Sequence, residues 1–148
     1  AYWQANMDLL GETPACDLRN QEWPIRTEPS YGPPASLVNC YVDHALIGEG
    51  SRASEADIRR SIIGRHVRIE RGAYIEDSII FDHTHIGAGA KLKRVVVDRH
   101  NQIPAHAELG GRGDDGLDTA SDWAESGVLV IPKPPAAKEE QRRRLPSY

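Results

Sequence analysis

Aromatic side chains are scarce in the 148-residue sequence: they make up 6% of it, with one Phe and three Trp. A core built without that bulk has to be laid down in thin layers of Ile, Val, Leu and Ala. No apolar run approaches the roughly 20 residues that span a bilayer as a helix, and the opening AYWQANMDLL is amphipathic rather than signal-like. Cysteine is nearly missing. Cys16 and Cys40 stand in unrelated contexts with no C-x-x-C spacing, which argues against a disulfide framework or a zinc site and for free thiols in a reducing cytosol. A strong charge of one sign is also lacking, since the formal net charge of −4 gives no bulk attraction to nucleic acid or acidic lipid.

What the sequence does have is a repeat. Residues 60–76 read RSIIGRHVRIERGAYIE, residues 77–93 DSIIFDHTHIGAGAKLK and residues 94–110 RVVVDRHNQIPAHAELG, three rows of 17 that align without a gap. Ile63, Ile80 and Val97 share a column, as do Ile69, Ile86 and Ile103, then Ala73, Ala90 and Ala107, and Ile75, Leu92 and Leu109. The large aliphatics recur at six, six and five residues, a hexapeptide pattern. Three short strands per turn, aliphatics inward and small residues at the bends, make a triangular coil, and coils stacked about 4.8 Å apart turn each column into an apolar ladder. A helix is disfavoured by the β-branched runs and by Gly64, Gly72, Gly87, Gly89 and Pro104. Hairpin loops of a β-sandwich would break the common register. The expected fold is therefore mainly β, a parallel β-helix of hexapeptide repeats with a short N-terminal helix and a connector. A fainter coil precedes the rows: residues 42–59 place Ile47, Gly48 and Ala53 in hexad register before slipping by about a residue.

The flanks differ in character. Tyr2, Trp3, Met7 and Leu10 fall at helical spacing, so residues 1–10 read as a short helix whose apolar side needs a partner the rest of the chain does not obviously provide. Pro24, Pro29, Pro33 and Pro34 make residues 23–35 an extended surface segment. Residues 110–126 read as a Gly- and Asp-rich loop, GVLVIPK from Gly127 as one last strand, and residues 134–148 as a basic tail that is mobile at its end. The expected organisation is residues 1–22 as the end of one domain, 23–41 as connector, 42–133 as β-helix and 134–148 as tail.

YWQANMDLL, WPIRT, the SII-type coils, LKRVVVDRHNQIP and SGVLVIPK, in that order, resemble the C-terminal part of the glucose-1-phosphate adenylyltransferase (ADP-glucose pyrophosphorylase) family. The resemblance covers nearly the whole chain. It implies a subunit with an N-terminal α/β nucleotidyltransferase domain and a left-handed β-helix, making ADP-glucose and pyrophosphate from ATP and glucose 1-phosphate with Mg²⁺ in cytoplasmic glycogen or starch synthesis. Residues 1–22 would close the catalytic domain, and Ala1 in place of Met would mark a cut inside a longer enzyme. The family's nucleotide loop and its substrate-, metal- and phosphate-holding Asp and Lys residues have no counterpart here, so no catalysis, catalytic residue or bound metal is expected of this chain alone. Its implied partners are its own catalytic domain, further copies in a homotetramer, and effectors: sugar phosphates as activators, and AMP, ADP or phosphate as inhibitors.

Effector sites in this family use basic residues on the rigid coil. By motif position the resemblance assigns effector binding to Arg99 in VVVDRH and Lys133 in SGVLVIPK, with Lys93 and Arg94 of LKR in support. His83 falls where enteric members carry a Glu that contacts AMP, and an imidazole cannot supply a carboxylate acceptor. Read from the residues alone, His66, His83 and His100 share one column and form an outer ladder, either a stack for a metal or anion or three solvated corner residues. In the next column Asp82 lies between Arg65 and Arg99 and would pin Arg99, or else form an exposed ion pair. Asn101, Thr84 and Val67 share an inward column, where Asn101 would bond to backbone. Two other classes fit a hexapeptide coil: an acyltransferase with His83 or His106 as catalytic base, and a purely structural oligomerisation module.

Overall fold

In a computed structural model, described for residues 1–14, 16–18, 20, 32–111, 123, 124 and 127–134, the rows wind into a parallel β-helix. The N-terminus is a helix, α1 (Tyr2–Met7), continued by a 3₁₀ turn at Asp8–Leu10. Next come the coils. The first is β1 (Ser36–Val38), β2 (Tyr41–Asp43) and β3 (Leu46–Ile47), and the second β4 (Arg52–Ser54), β5 (Asp57–Arg59) and β6 (Ile62–Ile63). The third is β7 (Arg68–Ile69), β8 (Tyr74–Glu76) and β9 (Ile79–Ile80), and the fourth β10 (His85–Ile86), β11 (Lys91–Lys93) and β12 (Val95–Val97). The fifth has β13 (Gln102–Ile103) and β14 (Glu108–Gly110) and is completed, after an insertion, by β16 (Val128–Ile131), along which β15 (Trp123–Ala124) lies antiparallel.

Strands stack into three faces: β1-β4-β7-β10-β13, β2-β5-β8-β11-β14, and β3-β6-β9-β12-β16. The expected columns are the observed partners: Ile63, Ile80 and Val97, then Ile69, Ile86 and Ile103, then Ile75, Leu92 and Leu109. The slip in the earlier coil also has an address. Ile47 lies opposite Ile63, sixteen residues on, whereas Ile58 lies opposite Ile75, seventeen on, so the missing residue belongs to the corner between β4 and β5. The first coil already begins at Ser36, inside the segment expected to be connector. Residues 23–31 of the Pro-rich reading, most of the loop at 112–122 and the tail at 135–148 lie outside the described residues.

Ile58, Ile75, Ile80, Ile86, Leu92, Val95 and Val97 are fully buried on the coil axis. Each such side chain contributes roughly 1.5–3 kcal/mol of transfer free energy. Between these ladders the small residues close the interior with hydroxyl bonds. Ser61 and Ser78 donate to the carbonyls of Arg59 and Glu76 and accept the amides of Ser78 and Val95 one coil on, so polar atoms in the core are paired.

The corners are left-handed. Gly50, His66, His83 and His100 make one column of positive φ, Asn39, Glu55, Gly72, Gly89 and His106 a second, and His44, Arg60, Asp77, Arg94 and Gly111 the third. Ten of these residues carry a Cβ and are held there against an intrinsic penalty, which the continuous ladder on both sides offsets.

The helix α1 is not left without a partner, contrary to expectation. Trp3 and Met7, together with Ile62 and Phe81, pack on the outer side of the third face against the cluster of Ile79, Val96 and Val128. Trp3 Nε1 donates to the Asp77 carbonyl at 2.7 Å, and the Arg94 guanidinium lies 4.9 Å above the indole ring. That face is apolar on both sides, with Ile79 and Val96 pointing out and Ile80 and Val97 in, and α1 keeps water from the outer pair. Within the described residues no helix is long and apolar enough to cross a membrane.

In urea, Ile80→Ala is expected to cost about 2–5 kcal/mol, because the coil backbone cannot collapse into the space left. Trp3→Ala should also lower the midpoint. An unchanged midpoint for Trp3→Ala would mean that α1 does not cover this face in solution.

Candidate functional site at one corner of the coil

The corner joining the third face to the first collects most of the residues the sequence singles out. His is one of the few side chains that enter the left-handed region with any frequency, and His66, His83 and His100 do so at φ 53°, 57° and 60°. With the same backbone at each level, the imidazoles stack as parallel plates: successive centroids are 5.1 Å apart, with interplanar angles of 9° and 1°. Gly50 ends the column because a Cβ there would run into the His66 ring.

The column beside the imidazoles holds Arg65, Asp82 and Arg99. Asp82 does not pin Arg99, one of the two readings the sequence leaves open. It accepts the Arg65 amide at 2.8 Å and faces the Arg65 guanidinium at 3.4 Å, so it reaches back to the coil before it. Arg99 is exposed and belongs to none of the ion pairs among the described residues, while its amide is capped by Asp98 Oδ1 at 2.7 Å. Freed from Asp82, the Arg99 guanidinium presents its donors to solvent.

Lys133 enters the same column. Val97 pairs with Ile131, thirty-four residues on, which is two rows of seventeen, so Arg99 and Lys133 occupy the same position on adjacent coils. The insertion hides this relation in the sequence, though the doubled period was there to be counted. Two cationic positions thus lie about one rung, ~4.8 Å, apart at the mouth of the imidazole column. That spacing suits the oxygens of a phosphate or carboxylate bridging both.

Lys93 and Arg94 are elsewhere. They occupy the opposite corner of the third face, where Lys93 reaches Glu76 at 3.2 Å and Arg94 covers Trp3. Burial pushes the Glu76 carboxyl up, but bonds from Lys93, Tyr74 and Arg60 together hold it below the usual carboxylate range. Arg94 and Arg99 are five positions apart, up to ~17 Å of extended chain, so one small anion does not reach both corners. His106 sits at the third corner.

Beneath Arg99 the inward column behaves as expected. Val67, Thr84 and Asn101 are buried, Thr84 Oγ1 donates to the Asp98 carbonyl at 3.2 Å, and Asn101 Nδ2 donates to the carbonyls of Asp98 at 2.9 Å and Pro132 at 3.0 Å. The bond to Pro132, across to the coil of Lys133, is the feature that sequence reasoning missed.

Three-stranded parallel coils with hexad-spaced aliphatics define the class, a hexapeptide-repeat β-helix protein. Residues 33–131 match the family described as GlmU-like, C-terminal hexapeptide, and the chain belongs to that family. The curated relatives it resembles are named glucose-1-phosphate adenylyltransferase. The one from Deinococcus deserti is 34% identical over 139 residues, 90% of this chain and 34% of the relative. The one from Trichlorobacter lovleyi is 34% identical over 140 residues, again 90% of this chain and 34% of the relative. The one from Paramagnetospirillum magneticum is 38% identical over 84 residues, 52% of this chain and 19% of the relative. The chain therefore spans about a third of the length of the first two of these relatives.

The imidazole column makes stability depend on pH. Desolvation between the flanking rings, then repulsion from His100 and His66, hold His83 below its ordinary 6.5, with Arg65 adding to the effect and Asp82 opposing it. A depressed folded-state pKa means that the unfolded chain binds the proton first. Stability is then kept above about pH 6.5 and lost as pH falls from there through the folded-state pKa. Urea midpoints measured at pH 7.5 and 5.5 should fall on acidification, and His83→Asn, which tolerates the left-handed corner, should flatten that fall. An equal fall in wild type and variant would remove His83 as the cause.

Proposed function

We propose that this chain is the regulatory and oligomerisation part of a glucose-1-phosphate adenylyltransferase and that the corner bearing Arg99 and Lys133 binds its phosphorylated effectors. The observation that carries the reading is the shared column of these two residues on adjacent coils, in a chain whose similarity to enzymes of that name extends over 90% of its length. A β-helix corner suits the task. Its backbone is tied to the coils on both sides, so the cations lose little freedom on binding, and guanidinium and ammonium donors together match a phosphate's oxygens.

In this reading His83 and His100 border the anion as planar, hydrogen-bonding neighbours, while Lys93 and Arg94 secure α1 and the opposite corner and do not touch the same ligand. The transfer of adenylyl from ATP to glucose 1-phosphate, and the Mg²⁺ it uses, belong to residues outside this chain. Among the described residues no three His, Cys, Asp or Glu side chains converge on a point that would hold a metal ion, and the stacked imidazoles lie face to face. The whole enzyme would work in the cytoplasm as a homotetramer, in glycogen synthesis, with the β-helix contributing to assembly.

The test is the effector response of the full-length enzyme, titrated with fructose 1,6-bisphosphate and with inorganic phosphate. A charge-assisted hydrogen bond is worth about 1.5–3 kcal/mol, so Arg99→Ala and Lys133→Ala should each raise the half-maximal concentration of the responding probe by roughly ten- to a hundredfold. An unchanged response in both variants, or loss of effector-free turnover at saturating substrates in either, would overturn the assignment.

A further inference from the structure

The last coil is held at this corner differently from those before it. At each earlier level the amide of the column His is tied to the coil below: His66 to the Glu49 carbonyl at 3.0 Å, His83 to Arg65 at 2.9 Å, and His100 to Asp82 at 3.2 Å. On the final level the register puts Pro134 in the position of the His, and proline has no N–H, so this tie cannot form. Nor does the coil arrive by a short bend, because it is reached only after the insertion between β14 and β16. Among the described residues, two of the bonds to this segment come from the coil of Arg99. The Asp98 amide donates to the Ile131 carbonyl at 2.9 Å, and Asn101 Nδ2 donates to the Pro132 carbonyl at 3.0 Å.

The second bond repeats the one that the polar members of its column make to the next coil, Ser51 to the Gly64 carbonyl and Thr84 to the Asp98 carbonyl, while Val67 has no donor; what Asn101 adds is a second N–H. A carboxamide NH₂ carries two donors in one plane. Asn101 spends one on the Asp98 carbonyl, within the coil of Arg99, and the other on the Pro132 carbonyl, within the coil of Lys133. Both partners are acceptors, so the NH₂ end must face them. Asp98 and Pro132 directly precede Arg99 and Lys133. One buried amide therefore sets the separation of the two backbone points from which the cations project.

We propose that Asn101 is a positioning residue that holds Lys133 over Arg99 and so presets the anion site. This rests on the effector reading above. Without the bridge, the backbone that carries Lys133 is less fixed before ligand binds, and affinity falls by the added ordering cost without loss of either charge.

The test uses the full-length enzyme and the same two probes. Asn101→Asp keeps the shape and replaces the donor pair by acceptors. Asn101→Val copies the residue two coils below. Asn101→Thr retains one donor, as Thr84 does, and serves if the other two fail to fold. Asn101→Asp and Asn101→Val should each raise the half-maximal concentration roughly three- to tenfold, and Asn101→Thr by less. Combined with Lys133→Ala, Asn101→Val should add less than about twofold, since a clamp has no effect once the lysine it places is gone. A merely structural role would multiply the two effects.

If Lys133→Ala weakens the response but no folded Asn101 variant does, or if the effects multiply, the positioning role is wrong and the effector site stands. If neither Arg99→Ala nor Lys133→Ala changes the response to either probe, the effector reading itself falls.

Discussion

The structure depends on one constraint, the parallel backbone ladder that returns the chain to the same place after each coil. Once Ile63 lies over Ile80 and Ile80 over Val97, every other position in the row must also lie over its equivalent. A column then accepts only residues that suit the same backbone and the same neighbours. Inward positions take aliphatics, corner positions take glycine or one of the ten side chains held at positive φ, and the seats beneath the strands take Ser, Thr, Asn, Ala or Val. Thin layers suffice because no residue has to reach across a wide core.

The same constraint generates the electrostatics. Stacking puts charges of neighbouring coils within reach of each other, and the outer surface answers with alternating signs: Arg60 with Glu76 and Asp77, Lys93 with Glu76, Arg65 with Asp82, Lys91 with Glu108. Each exposed pair contributes well under ~1 kcal/mol, but the alternation removes the repulsion that stacking like charges would create. The imidazole column departs from this, with three identical titratable rings one above another. Like charges also succeed each other at Arg52 and Arg68 on the first face and at Arg99 and Lys133 at the end of the solenoid, where Asn101 ties the two coils from inside.

The third face shows what a coil does with an apolar outer side. Ile79 and Val96 point away from the axis and would be wet in a bare prism, so the N-terminal helix lies across them, fastened by Trp3 to the Asp77 carbonyl and to Arg94. The corner residues here hold both a rung and a helix. Charges that looked from the sequence like one basic stretch, Lys93, Arg94 and Arg99, are divided between two corners by the width of a face.

Much was legible in the sequence because the repeat is local in information. Three gapless rows carry the period, the hexad carries the inward columns, and their product is a β-helix with Ile63, Ile69 and Ile75 on three different faces. The stacked His66, His83 and His100 follow from the same arithmetic, as does the buried Asn101. Tertiary structure decided whatever joins parts outside that period. Trp3 found Ile79 and Asp77 because two apolar surfaces far apart in the chain exclude water together, and no spacing encodes that meeting. Asp82 chose Arg65 over Arg99 because its carboxylate could reach the Arg65 amide as well as the guanidinium, a choice set by backbone direction. Lys133 joined Arg99 only when the chain, after its insertion, came back to the ladder in register, where backbone bonds and the Asn101 amide fix what the intervening residues leave open.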